Sequence, residues 1–298
     1  MAIDYQHLKQ RAFAPVAQSY TPRDTQLYAL SLGLGNDPLD AGALPFVYEG
    51  AAGGLQALPT MAVVLGYPGF WAKEADTGID WVRLLHGEQR LRIHQPLPAS
   101  AQVVGRNRIT HITDKGAGKG AILVVERELL TADGTLLATV QQVTFCRGDG
   151  GYSDLQGGQP SDAPLPALQA VPQDRAPEWT DTQVIRPEAA LLYRLMGDTN
   201  PLHADPAVAQ AAGFARPILH GLASYGLVAH ALLRQCAGRD PARLKAFDIR
   251  FAAPVYPGET LQTEIWRVAG SHTQFQLRAK VVERDTVVLS HGWAELTA

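Results

Sequence analysis

The chain is short of several things, and each shortage excludes something. It has two cysteines, Cys146 and Cys236, in 298 residues. Neither stands at a metal-ligand spacing, so a disulfide scaffold and a cysteine-based metal site are excluded. Two reduced thiols in a reducing compartment is the expectation. There is no surplus of basic charge: the net charge is -3. Non-specific nucleic-acid binding, which rests on clustered Lys and Arg against phosphates, therefore has no footing. Gly, Pro or a charge interrupts every apolar run before it is long enough to span a bilayer. The opening MAIDYQHLKQRAF lacks the apolar core of a secretion signal, and the closing Glu295-Leu296-Thr297-Ala298 matches no peroxisomal address or lipid anchor. The expectation is a cytoplasmic chain with no membrane and no nucleic-acid partner.

Hydrophobic residues make up 46% and charged residues 18%, enough for a full core. The clearest boundary is residues 151–187, where Gly157-Gly158 and five prolines from Pro160 to Pro177 oppose both helix and ladder. This divides the chain into a first half, 1–150, a linker, and a second half, 188–298.

In the second half, Glu188 to Met196 reads as a short helix ending at Gly197. The segment His220 to Cys236 is apolar nearly all round, the pattern of a buried helix. Four runs follow with strand character: Leu244 to Phe251, Thr260 to Val268, Gln274 to Val282 and Thr286 to Ala294. Their alternation suits an antiparallel sheet wrapped on that helix, an α+β architecture. The first half echoes the second in order. Leu27-Tyr28-Ala29-Leu30 is similar to Leu192-Tyr193-Arg194-Leu195, Leu85-His86-Gly87 to Leu219-His220-Gly221, and Pro96-Leu97 to Pro254-Val255. The choice is between two copies of one fold and chance likeness of short segments. If they are copies, the first has lost its long helix, and the space left suits a bulky apolar ligand.

The densest polar cluster is Gly197-Asp198-Thr199-Asn200-Pro201-Leu202-His203. A carboxylate and an imidazole in one tight loop can reach a shared water and exchange a proton with it. The same residue types also build turns, and Asp198 could simply cap backbone donors. Gly221 opens the buried helix, where free N–H groups and the positive dipole end could stabilise charge developing on a carbonyl oxygen. Its other reading is close helix packing.

Other patterns carry less. Gly116-Ala117-Gly118-Lys119-Gly120 lacks the phosphate-loop spacing, and Ser224 lacks the Gly-x-Ser-x-Gly setting. His111, His230 and His272 have no partners at metal spacing.

The stretch Tyr193 to Pro206, with Pro217-Ile218-Leu219-His220-Gly221-Leu222 and Phe251 to Gly258, resembles the signature of the R-specific enoyl-coenzyme A hydratases, the MaoC-like or hydratase 2 family. In the first half, Tyr48-Glu49-Gly50, Leu58-Pro59-Thr60, Leu85-His86-Gly87-Glu88-Gln89 and Asp114-Lys115-Gly116-Ala117-Gly118 resemble the hydratase domain of peroxisomal multifunctional enzymes of type 2. Met196 departs from the pattern, where relatives often carry Ser.

The resemblance implies a double hot-dog fold and reversible hydration of trans-2-enoyl-coenzyme A to the (3R)-hydroxyacyl product, a lyase of fatty acid metabolism. It implies Asp198 and His203 as the catalytic pair, Asn200 orienting them, and the Gly221 N–H on the thioester oxygen. His86, Gly87, Lys115, Thr199, Pro201, Leu202 and Phe251 are the implied substrate contacts. No metal or separate cofactor is expected, since coenzyme A arrives with the substrate. A homodimer is compatible, and the missing helix points to medium or long acyl groups. Rival readings are a hydroxyacyl dehydratase acting on acyl carrier protein, a thioesterase, and a silent acyl-coenzyme A binding module.

Overall fold

A computed structural model describes residues 3–154 and 158–298. Gly157 of the expected linker and the first two residues lie outside the described part. In chain order the elements are α1 (Tyr5–Lys9), β1 (Val16–Tyr20), α2 (Pro22–Ser31), α3 (Leu44–Val47), β2 (Leu84–Ile93), β3 (Ala101–Asp114), β4 (Ala121–Thr131) and β5 (Leu136–Cys146) in the first half. In the second half they are β6 (Trp179–Val184), α4 (Ala189–Tyr193), α5 (Pro206–Ala211), α6 (Gly221–Cys236), β7 (Leu244–Phe251), β8 (Thr260–Arg267), β9 (Gln274–Val281) and β10 (Thr286–Leu296).

All ten strands form one antiparallel sheet in the order β1-β3-β4-β5-β2-β7-β10-β9-β8-β6. Read from either edge to the centre, the two halves have the same order. The chain is thus two copies of one unit, a double hot-dog, joined where β2 pairs with β7. Alternation sets the faces: along β9 every second side chain is buried, as a half-covered strand requires. Glu88 of β2 stands opposite Arg250 of β7 and accepts from its Nη2 at 2.7 Å. Asp248 accepts from Arg92 Nη2 at 2.7 Å. Both carboxylates are buried. Glu88 is also held by Arg90 Nη2 at 2.7 Å, whereas losing Arg92 strands the Asp248 charge, a change that costs about 3–5 kcal/mol.

The apolar circumference of α6 is explained by its surroundings. Ala223 through Leu233 are all buried, and the helix packs on β6, β7, β8 and the 3₁₀ turn Pro59–Val63. That turn stands in the first half where α6 stands in the second.

Three expectations need correction. The stretch 151–187 is not all linker. Its last part is the edge strand β6, paired in register with β8 from Trp179↔Ile265 to Val184↔Thr260. No proline falls between Pro177 and Pro187, and Trp179 to Val184, Trp-Thr-Asp-Thr-Gln-Val, has the β-branched, alternating character of a strand. Residues 158–178 cross the outer sheet face, where Pro166 and Ala170 carbonyls accept from Arg90 and Gln276. Second, Leu85-His86-Gly87 and Leu219-His220-Gly221 are not equivalent: the former lies on β2, the latter enters α6. Tyr28 and Tyr193, by contrast, do sit on matching helices, with ring centroids 6.0 Å apart. Third, the space beside α6 is not vacant, because Phe46, Met61, Val63 and Leu65 are buried there in the same core.

Candidate active site

The loop after α4 is built by its own side chains. Gly197 takes φ 113°, a left-handed turn that L side chains resist. The Asn200 side chain accepts from Leu202 N at 3.1 Å and so caps the 3₁₀ turn Pro201–His203. Asn200 N donates to Asp198 Oδ1 at 3.2 Å. These bonds leave Asp198 exposed and His203 buried. Asn200 therefore positions the pair through the loop's own bonding. Thr199, Pro201 and Leu202 shape this loop, and the Thr199 carbonyl accepts from Arg194 at 3.4 Å.

His203 Nδ1 lies 2.9 Å from the Ile218 carbonyl oxygen. A carbonyl only accepts, so Nδ1 carries the proton and Nε2 offers a lone pair. His220, directly before Gly221, is a residue the sequence reading left out of the site. Its ring stacks on His203 with centroids 3.8 Å apart, and its Nε2 donates to the Asp198 carbonyl oxygen at 3.2 Å. It thus fixes both members of the pair. Its place next to a glycine that opens a helix was the available signal. Side-chain donor atoms of Asp198, His203 and His220 all lie within 4.8 Å of one another.

The opposite wall comes from the seam. A Cβ on Gly221 would meet Phe251 at 3.1 Å, so glycine lets the ring of Phe251 lie against the start of α6. Among the described residues no acceptor takes the Gly221 N–H, as expected for the first N–H groups of a helix. The His86 ring is 4.7 Å from Phe251. The β2–β5 register slips between His86 and Glu88, so Gly87 sits in a bulge, a device that re-aims a side chain. Lys115 is not brought to the Asp198 loop. Its Nζ lies 5.1 Å over the ring of Phe145, the β5 residue opposite Leu85, which places it at the rim beside the start of β2.

Electrostatics favour one carboxylate facing neutral imidazoles. Burial pushes His86 down to about 4. His220 is pushed down to about 4 by burial first and by His203 second, against the pull of Asp198. Burial also lowers His203, opposed by its bond to Ile218 and by Asp198. The set is a poor metal cradle. Imidazole lone pairs lie in the ring plane, and two planes stacked with only 29° between them do not converge on one ion at bonding distance. A surface crevice of about 300 Å³ at Arg175, Glu178, Arg267 and His272 involves none of these residues.

Residues 18–148 match the family model described as MFE-2 hydratase 2 N-terminal domain, and residues 169–290 match the MaoC like domain. The chain is 38% identical to 3-hydroxyacyl-thioester dehydratase Y of Mycobacterium tuberculosis, covering 95% of each. It is 36% identical to a probable enoyl-CoA hydratase 2 of Dictyostelium discoideum, over 99% of this chain and 97% of that protein. Among solved structures, a MaoC-like dehydratase from Phytophthora capsici superposes with a TM-score of 0.85 at 31% identity, over 99% of both chains.

Proposed function

This chain belongs to the MaoC-like, hydratase 2 family, and on that premise we propose that it is a hydro-lyase adding water to trans-2-enoyl-coenzyme A to give (3R)-hydroxyacyl-coenzyme A, reversibly. One observation carries the proposal: a carboxylate and a neutral imidazole with a free Nε2 share one loop, beside an unbonded N–H at the start of a buried helix.

The water lies between Asp198 and His203 Nε2. One of its protons passes to this pair as its oxygen bonds C3 of the enoyl group. Charge moves through C2 onto the thioester oxygen, where the Gly221 N–H stabilises it. The held proton then returns to C2 on the face from which the water came, so the addition is syn and the atoms balance. His220 keeps Asp198 and His203 in register, while His86 and Phe251 form the wall opposite. Lys115 at the rim suits the phosphates of coenzyme A. No step calls for a metal or separate cofactor.

No helix of the described residues is long and apolar enough to cross a membrane. Cytoplasmic residence is part of the proposal, supported by the unpaired thiols of Cys146 and Cys236. A second reading runs the same chemistry as dehydration of a thioester carried by acyl carrier protein, which the name of the mycobacterial relative leaves open. The test is a hydration assay on enoyl-coenzyme A and enoyl-carrier-protein thioesters, with chiral analysis of product. An (S) product, or thiol release without hydration, rejects the proposal.

A further inference from the structure

Tyr28 and Tyr193 occupy the same place in the two copies, and both are buried. One of them also touches the reactive loop. The Tyr193 ring lies 5.0 Å from that of His220, which in turn stacks on His203 at 3.8 Å. Tyr193 is joined to Asp198 by the chain as well, through the 3₁₀ turn Arg194–Met196 and Gly197. His220 Nε2 closes the circuit by donating to the Asp198 carbonyl. The other ring nitrogen of His220, Nδ1, is buried without a partner among the described residues. One hydrogen bond and two ring contacts therefore orient the side chain on which the Asp198–His203 pair depends.

The first half backs this circuit. The Tyr28 ring meets that of Tyr193 with centroids 6.0 Å apart. Its hydroxyl donates to Thr60 Oγ1 at 3.0 Å, which ties α2 to the 3₁₀ turn Pro59–Val63. A Cβ on Gly226 would lie 2.7 Å from Leu32 and 3.1 Å from the Tyr28 hydroxyl, so α2 lies directly on α6 there. Tyr28 is thus pinned at its hydroxyl end, and Tyr193 rests on a fixed ring. The Tyr193 hydroxyl has no hydrogen-bond partner among the described residues. Its ring does the holding, and its polar end contributes nothing to it.

Building on the enoyl-thioester reading, we propose that Tyr193 is a positioning residue for the hydration, its ring holding His220 where His220 keeps Asp198 in register with His203. The half without reactive groups then serves the chemistry at one remove, through Tyr28.

The test is a double-mutant cycle on crotonyl- and decenoyl-coenzyme A, with melting curves to confirm folding. It uses wild type, Tyr193→Leu, His220→Ala and the two together, with Tyr193→Met in place of Tyr193→Leu if the latter does not fold. A shift of His220 by a fraction of an ångström lowers kcat about tenfold in Tyr193→Leu, with KM little changed. Tyr193→Phe keeps the ring and stays within about twofold of wild type. Tyr28→Leu, one contact further out, loses about threefold in kcat. On top of His220→Ala, Tyr193→Leu costs no more than about twofold, because the ring it acts through is gone. A double variant whose loss equals the product of the single losses overturns the inference and leaves the hydratase reading intact. So does a folded Tyr193→Leu whose kcat stays within about twofold of wild type, or whose loss lies in KM alone. A wild type that hydrates neither substrate overturns both.

Discussion

Between β1 and β2 the first half runs through α2 to a 3₁₀ turn of five residues; between β6 and β7 the second runs through α4 to α6, sixteen residues long. Tyr28 and Tyr193 mark matching points. Five residues beyond each, the first half has Gly33 and the second has Asp198. The strand order around them is the same. The sheet is thus compatible with either a reactive or an unreactive insert, and the chemistry depends on what is placed between the first and second strands of each copy. The helix matters twice over: it fills the concave face, and its start supplies the N–H beside Asp198 and His203. The first half keeps neither, and contributes His86 to the wall instead.

The sharpest way to break this comparison is to remove the groups that only the second half has. Asp198→Asn and His203→Gln should each lower turnover of crotonyl-coenzyme A by about two to four orders of magnitude. Adding Gly33→Asp to Asp198→Asn should restore none of it, because no imidazole answers at that place. Recovery of rate by the double variant would show the halves to be interchangeable.

The pH dependence of stability comes next. His86 and His220 sit at about 4 in the folded protein against an ordinary 6.5. Between those values the unfolded chain binds protons that the folded chain refuses. Stability is therefore complete above pH 6.5 and falls as the pH drops toward 4, by on the order of 3 kcal/mol per histidine at most. Melting temperature measured across that window should decline for wild type and less steeply for His86→Phe. Equal slopes would mean His86 is not held neutral by the fold.

Smaller effects probe the wall around the pair. His220→Phe keeps an aromatic ring against His203 and removes the donor to the Asp198 carbonyl, worth about tenfold in kcat with KM little changed. A change confined to KM would place His220 among substrate contacts instead. Gly221→Ala puts a methyl 3.1 Å from Phe251, and a displacement of a few tenths of an ångström should cost about fivefold in kcat/KM. No loss at all would mean the ring has room to retreat from the start of α6.

Legibility followed physical cause. The strands β7 to β10 and α6 could be read within two residues, because one-sided burial leaves alternation and full burial leaves an apolar run. Strand β6 was hidden because the chain's Pro-rich crossing masks a short edge strand that follows it. The echo at His86 misled because identical tripeptides serve a strand bulge and a helix entry. His220 was overlooked because a buried histidine at the head of an apolar helix looks like packing, and its bond to a backbone carbonyl leaves no trace in composition. The filled space beside α6 was unreadable for a similar reason: Phe46 and the 59–65 segment come from separate stretches that only the fold brings together.

The seam between β2 and β7 has a consequence for how the molecule comes apart. Five residue pairs and two arginine–carboxylate bridges cross it, whereas the covalent crossing lies outside the sheet. A protease that nicked the crossing would sever the polypeptide and leave the ladder intact. Heat would then release both pieces together in a single melting event, since parting the halves would leave β2 and β7 each paired on one side only.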